Sequence, residues 1–269
     1  MEILILCDKN DWIAKKVHQQ LLHTEIDAAI VFAEQLAFAQ SWKQLISDTG
    51  ECCTEIYLQD SQYIDSKKLK SVFNRIKFLN MPQFLNVTDR NYAEMEMFAL
   101  YASFLKSISH ALLEPILTKN LIIEETNLLY YFDLAINAGL DVIDYHFTTA
   151  PKWQNSADSI PVYPLNNADH SLPVKAPHLV WENLPCVYLE AYTKPIKIVI
   201  IDESVYPQIY NDKIPGLIKF AKATGKTFLE LQFVEADGKM KLLDVNDFPL
   251  NASEETINAL SLLIKTKSL

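Results

Sequence analysis

The stretch at residues 227–249, TFLELQFVEADGKMKLLDVNDFP, decides the fold. Two runs rich in β-branched, aromatic and other apolar residues flank Ala236, Asp237, Gly238 and Lys239, with Asp-Gly at the centre, the turn chemistry of a two-stranded hairpin. A period of two sends Leu243 and Val245 of the return strand to one face and Asp244 and Asn246 to the other. Two hard oxygen donors then sit side by side before a proline turn at Pro249. Such a pair suits Mg²⁺, which takes oxygen ligands from a carboxylate or two together with substrate phosphates. The same pattern also describes the solvated end of a half-buried strand, so the alternation by itself leaves both readings open.

The rest of the chain narrows the choice. At 269 residues there is room for a large core or for two or three small lobes. A net charge of −10 disfavours an electrostatic footprint for nucleic acid or an anionic membrane. The start, MEILILCDKNDW, has too short an apolar run for a secretory signal, and no segment reaches the length of about 18 apolar residues that a membrane span needs. A cytoplasmic protein is expected. Cys7, Cys52, Cys53 and Cys186 have no C-x-x-C spacing, so neither a zinc framework nor a disulfide set is predicted. Glycine is scarce: Gly50, Gly139, Gly216, Gly225 and Gly238 are too scattered to form a dinucleotide fingerprint or a P-loop.

Outward from the hairpin, periodicity predicts a strand at 1–7, a helix through Trp12, Val17, Leu21 and Leu22, and strands at 28–32 and 55–58, together a small parallel sheet. A long helix follows, capped by Asp89 and closed by Pro115, with Tyr92, Met95, Met97, Phe98, Tyr101, Phe104, Leu105 and Ile108 expected in the core. A further helix ends at Gly139 and leads to a strand at 141–147. The proline-rich residues 151–177 read as a hinge or loop region. Strands at 186–192 and 196–201, a helix at 214–224 ended by Gly225, the hairpin, and a last helix begun by Ser253 complete the order. The near-continuous run IKIVII at 196–201 is expected to be buried on both faces.

Four segments taken in order, DRNYAEMEMFALYASFLKSI, LLYYFDLAINAGLDVIDYHFTT, VYLEAYTKPIKIVIIDESVYP and AKATGKTFLELQFVEADGKMKLLDVNDFP, resemble the ATP-grasp superfamily of carboxylate-amine ligases. The resemblance implies an α/β protein with a small parallel-sheet N-terminal lobe followed by a reduced ATP-grasp-like α+β region, divided at 1–115, 116–190 and 191–269. It implies ATP and Mg²⁺ as cofactors, with Asp244 and Asn246 as metal ligands and Glu190, Ala191 and Tyr192 beside the adenine. An active member would phosphorylate a carboxylate of an amino acid, peptide or protein and let an amine displace the phosphate.

The chain departs from the family where charge matters. Gln232 stands where the preceding hairpin strand normally offers another carboxylate, and Glu230, on the same face, either substitutes for it or is a surface residue. No glycine-rich loop is present, and of Lys152 and Lys175 the latter is the choice for the phosphate lysine, against the alternative of a lysine on a solvated loop. The other functional reading is therefore a non-catalytic ATP-grasp protein that binds a peptide or partner, and a third possibility is an oligomer interface on the apolar helices. Arg75 and Arg90 are candidates for a substrate carboxylate, with exposed ion pairing as the simpler expectation. No G-x-S-x-G elbow and no metal-spaced histidine pair appears.

Overall fold

The computed structural model of the chain describes residues 2–76, 79, 84–114, 128–148, 160–162, 186–189, 195–207, 213–236 and 238–269. The chain divides into two compact units, Met1–Ile123 with Leu250–Leu269, and Glu124–Pro249.

The first unit opens with strand β1 (Ile3–Cys7), helix α1 (Trp12–His23), strand β2 (Ala28–Phe32) and the short helix α2 (Ala33–Ala37). Strands β3 (Ser41–Ile46), β4 (Cys52–Tyr57), β5 (Tyr63–Asp65) and β6 (Ser71–Asn74) follow, then the long helix α3 (Val87–Ser107). The expected parallel sheet is present in the order β2-β1-β6. Its third strand, however, is β6; β4, expected in that sheet, pairs antiparallel with β3 and β5 in a sheet of its own. Short strands joined by tight turns pair locally, whereas a parallel partner needs a long crossover. All five residues of β1 are buried, as a central parallel strand covered on both faces requires.

One core gathers Leu4, Leu6 and Val31 from the parallel sheet, Ile56 and Ile64 from the antiparallel one, and Phe104 and Ile108 from the end of α3. Only the C-terminal half of α3 is deeply held. Tyr92 and Met95, expected in the core, are exposed, and the helix is capped not by Asp89 but by Asn86, whose side chain accepts from the Thr88 amide. The helix ends at Ser107, well before Pro115. Arg75, expected to pair on the surface, is buried. Its Nε donates to Asp11 Oδ2 at 2.6 Å, while Asp11 Oδ1 accepts from the Ala14 amide and caps α1.

The second unit contains helix α4 (Leu128–Asn137) and strands β7 (Tyr145–Thr148), β8 (Ile160–Val162), β9 (Cys186–Leu189), β10 (Ile196–Ile201) and β11 (Ser204–Tyr206). Helix α5 (Ile214–Thr224) and the hairpin strands β12 (Phe228–Ala236) and β13 (Lys239–Asn246) follow. β7-β9-β8 and β11-β10-β12-β13 form two antiparallel sheets. The strand expected at 141–147 divides into an isolated bridge from Val142 to Leu242 and the later β7. Tyr131, Phe132, Phe220, Leu231, Phe233 and Val245 share a second core, with α4 and α5 packed together. Gly216 lets α5 approach the turn that follows α4, since a Cβ there would come within 3.0 Å of Leu140 Cδ2. The last helix, α6 (Glu254–Ser268), starts at the Ser253 cap as expected and packs on α1 and β6.

Candidate functional site

The hairpin supplies the candidate site, and its register explains which side chains meet. Near the turn, Phe233 opposes Leu242; beyond a β-bulge, Gln232 opposes Asp244, Leu231 opposes Val245 and Glu230 opposes Asn246. Leu243 is the extra residue of the bulge. Strict alternation through "LLDVN" would put Leu242 on the face of Asp244 and Asn246; the bulge resets the parity, so Leu242, Leu243 and Val245 all reach the apolar core. The expected separation of Asp244 and Asn246 from Leu243 and Val245 is thereby kept. Bulges of this kind commonly re-aim side chains beside functional sites.

β10 extends the polar face. Lys197 opposes Gln232 and Val199 opposes Glu230, while Ile198 and Ile200 enter the core on the other side. The run expected to be buried on both faces is thus two-sided, with the Lys197 side chain 57 % exposed. Lys197 Nζ donates to Glu230 Oε1 at 3.0 Å. Glu230, Gln232 and Asn246 are buried, and Asp244 is half-buried. Glu230 is therefore no ordinary surface carboxylate.

The donors differ in what they have left to offer. Asn246 Oδ1 already accepts from the Phe248 amide at 3.0 Å, which folds the strand end into an Asx turn and fixes the side chain. Gln232 Oε1 is buried with no hydrogen-bond partner. An unmade bond at a buried acceptor costs about 1–3 kcal/mol, so this oxygen marks a place where a donor or a cation is favourable. At the strand end Asp247 Oδ2 accepts from Tyr131 Oη at 3.1 Å and lies 3.6 Å from Lys226 Nζ. Lys241 is matched by Asp144 at 2.8 Å.

Two carboxylates and two amides on one sheet face fit a hard divalent cation that draws further ligands from substrate phosphates. They do not form a self-sufficient cage: among the described residues no group of three or more His, Cys, Asp and Glu gathers to hold a metal. Glu230, Asp244 and Asn246, the three metal candidates read from the sequence, are brought together by the register. Lys175, Glu190, Ala191 and Tyr192 lie outside the described residues. Sequence reasoning missed Lys197, although it is the one charged residue in IKIVII and the period of two aligns it away from Ile196, Ile198 and Ile200.

Other polar groups among the described residues of the first unit are engaged within it. Arg90 donates through Nε and Nη2 to the Phe84 carbonyl at 3.0 and 2.7 Å, closing the start of α3. Tyr101 Oη donates to Asn74 Oδ1 at 2.7 Å; burial first, then the charge of Asp8, pushes its phenol well above the usual range. Burial, with the charges of Asp11 and Asp8, pushes the Cys7 thiol up to about 12, so it stays protonated and inert. A pocket lined by Glu34, Gln35, Phe38, Gln59 and Asp60 has an internal hydrogen bond from Gln35 to Asp60. No helix among the described residues is long and apolar enough to cross a membrane.

No protein-family model matches the chain, and no curated protein is similar to it in sequence. Solved structures are similar along the whole length. The macrocyclase MdnB from Microcystis aeruginosa MRC is 15 % identical, with 97 % of each chain covered and a TM-score of 0.76. The ATP-grasp ligase PsnB, solved with a minimal precursor, Mg and ADP, is 15 % identical over 99 % of this chain and 98 % of its own, at a TM-score of 0.74. A RiPP-associated ATP-grasp ligase from Chryseobacterium gregarium, in complex with ADP and a leader and core peptide, is 13 % identical over 99 % and 97 %, at 0.73. At such identities the likeness speaks for architecture alone, and the architecture of this chain is the ATP-grasp ligase fold.

Proposed function

We propose that this protein is an ATP- and Mg²⁺-dependent ligase that joins a carboxylate to an amine on a peptide substrate. The observation that carries this reading is the polar face of β10, β12 and β13, where Glu230, Gln232, Asp244 and Asn246 meet above an apolar core and Gln232 keeps a buried oxygen unpartnered. The fold supports a nucleotide, and the peptide complexes of proteins with the same fold support the substrate class. Glu230, Asp244 and Asn246 would hold the Mg²⁺, which when bound offsets phosphate charge. Lys175 as a phosphate contact, and Glu190 with Ala191 and Tyr192 beside the adenine, belong to the same proposal and rest on the sequence resemblance.

The reaction would run in two steps. A substrate carboxylate oxygen attacks the γ-phosphorus of ATP as the bond to the β-phosphate oxygen breaks, giving an acyl phosphate and ADP. An amine nitrogen then attacks the acyl carbon, phosphate leaves with the bonding pair, and the nitrogen gives up a proton as the amide forms. Lys197, whose ammonium is anchored on Glu230 and otherwise largely solvent-facing, supplies positive charge beside the face where these phosphates would lie. Charge placement and positioning carry most of phosphoryl-transfer catalysis, so residues held this firmly suit the task.

One observation favours a second reading, a peptide-binding protein without turnover: a neutral amide, Gln232, occupies the position opposite Asp244. Hydroxylamine trapping separates the two. With ATP, Mg²⁺ and a pool of peptides bearing Asp, Glu and Lys, the ligase forms hydroxamates and ADP, and the Asp244→Ala chain does not. A chain that binds peptides but forms neither product is the binding module.

A further inference from the structure

We propose that strand β3 is an association edge, and that its occupant is the β3 strand of a second copy of this chain, paired antiparallel about a twofold axis at Gln44. The inference stands apart from the ligase reading and concerns the first unit alone. β3 pairs only with β4, so it forms one border of its sheet. In such a pair every second residue turns its N–H and C=O away from the neighbour. Among the described residues nothing takes up these outward groups: beyond the ladder the strand makes only side-chain bonds, from Trp42 Nε1 to the Leu36 carbonyl and from Gln44 Nε2 to Thr54 Oγ1. Proteins usually guard a border of this length with proline, a bulge or charge. β3 has no proline and no break in register over its six residues. Its single charge, on Lys43, is drawn back onto β4: Lys43 opposes Glu55, and its ammonium lies 5.1 Å from the centre of the Tyr57 ring.

At the end of the strand Leu45 and Ile46 are 67 % and 66 % exposed, adjacent in sequence and therefore on opposite faces of the sheet. A partner that covered one face would leave one of them in water; a strand added at the edge reaches both. The side chains choose that strand. Directly opposed residues on antiparallel strands share a face, so a twofold pairing of β3 with itself is centred on a residue. Centred on Gln44, it sets Ile46 against the half-buried Trp42 and Leu45 against the aliphatic stem of Lys43, at both ends at once, with no like charges opposed. Trp42 is already fixed by its bond to Leu36 and its edge-on contact with Phe104, so the indole offers a firm surface. Centring on Lys43 would oppose two ammoniums. Centring on Leu45 would set Ile46 against Gln44 and carry the ladder past the end of the strand.

Sedimentation velocity of the full-length chain, from low micromolar to sub-millimolar concentration, reads the association, with hydrogen exchange of the β3 amides at both ends of the range. A dimer is expected whose β3 amides gain protection at high concentration. Its dissociation constant is expected to rise about tenfold or more in Ile46→Lys, a position exposed enough to leave the fold intact. Gln44→Cys is expected to form a disulfide-linked dimer on oxidation with diamide, absent from the wild type treated alike, because opposed Cα atoms about 4.5–5.5 Å apart suit that bond. A wild-type chain monomeric throughout, a dimer indifferent to Ile46→Lys, or a dimer that Gln44→Cys does not cross-link would each overturn the proposal. So would a monomer whose β3 amides are protected only once peptides bearing Asp, Glu and Lys are added, which would give the edge to a foreign strand.

Discussion

Replacing Asp11 separates two roles that one side chain plays in the first unit. Its Oδ1 accepts from the Ala14 amide at 2.9 Å and caps α1, while its Oδ2 accepts from Arg75 Nε at 2.6 Å. The side chains are 7 % and 3 % exposed, so neither charge has water to fall back on. Asp11→Asn keeps a good cap but removes the carboxylate to which Arg75 Nε donates; Asp8 still feels the guanidinium, so the loss is expected to fall below that of a buried pair broken on one side, about 3–5 kcal/mol. Asp11→Ala loses the cap as well, about 1 kcal/mol more. Replacing both partners by apolar residues, as in Asp11→Ala with Arg75→Met, removes both buried charges of the pair and recovers part of the loss. The assay is urea unfolding with hydrogen exchange of the β1 and α1 amides, which reports on this unit by itself. A loss below 1 kcal/mol for Asp11→Asn, or a double variant less stable than either single one, would refute the pairing argument.

Three other outcomes follow from the geometry. Cys7 resists iodoacetamide at pH 8 in the folded chain, whereas the half-buried Cys52 and Cys53 react, as mass spectrometry of the alkylated peptides would show; equal labelling of Cys7 counts against its burial. Because folding raises the Cys7 value, the unfolded chain loses this proton first: its contribution to stability is intact below the ordinary thiol range and declines as pH rises toward about 12, readable in unfolding midpoints across that window. Leu231→Ala, at a fully buried position of β12, destabilises the second unit by about 2–5 kcal/mol in denaturant unfolding, and Tyr131→Phe, which removes the bond to Asp247, by about 1 kcal/mol.

The hairpin was legible because its signals are local: an Asp-Gly turn, a period of two and a proline stop. Strands β1, β2 and β10 and helix α5 were legible for the same reason, each being a short apolar-periodic run between turn residues. What escaped depends on partners distant in sequence. β4 carries the same composition in either sheet, so its pairing with β3 and β5 is decided by turn lengths and packing. Arg75 looked like a surface cation because its partner, Asp11, lies 64 residues earlier. The aromatic and methionine stripe of α3 is continuous in sequence, yet only its C-terminal half has a sheet to pack against, which leaves Tyr92 and Met95 exposed. The bulge at Leu243 was hidden by its chemistry, since two adjacent leucines satisfy either parity. Lys197 was overlooked in an apolar run whose other face is core.

On the proposed reading, oxygens on the β12 and β13 face hold a metal-bound nucleotide. Equilibrium dialysis of labelled ADP tests it directly, with Mg²⁺, with EDTA, and with Asp244→Ala in place of the wild type. Saturable binding that needs Mg²⁺ and weakens by about tenfold or more in the variant, a difference of about 1.4 kcal/mol, is expected. No binding at millimolar ADP, or binding indifferent to EDTA and to Asp244, would contradict it.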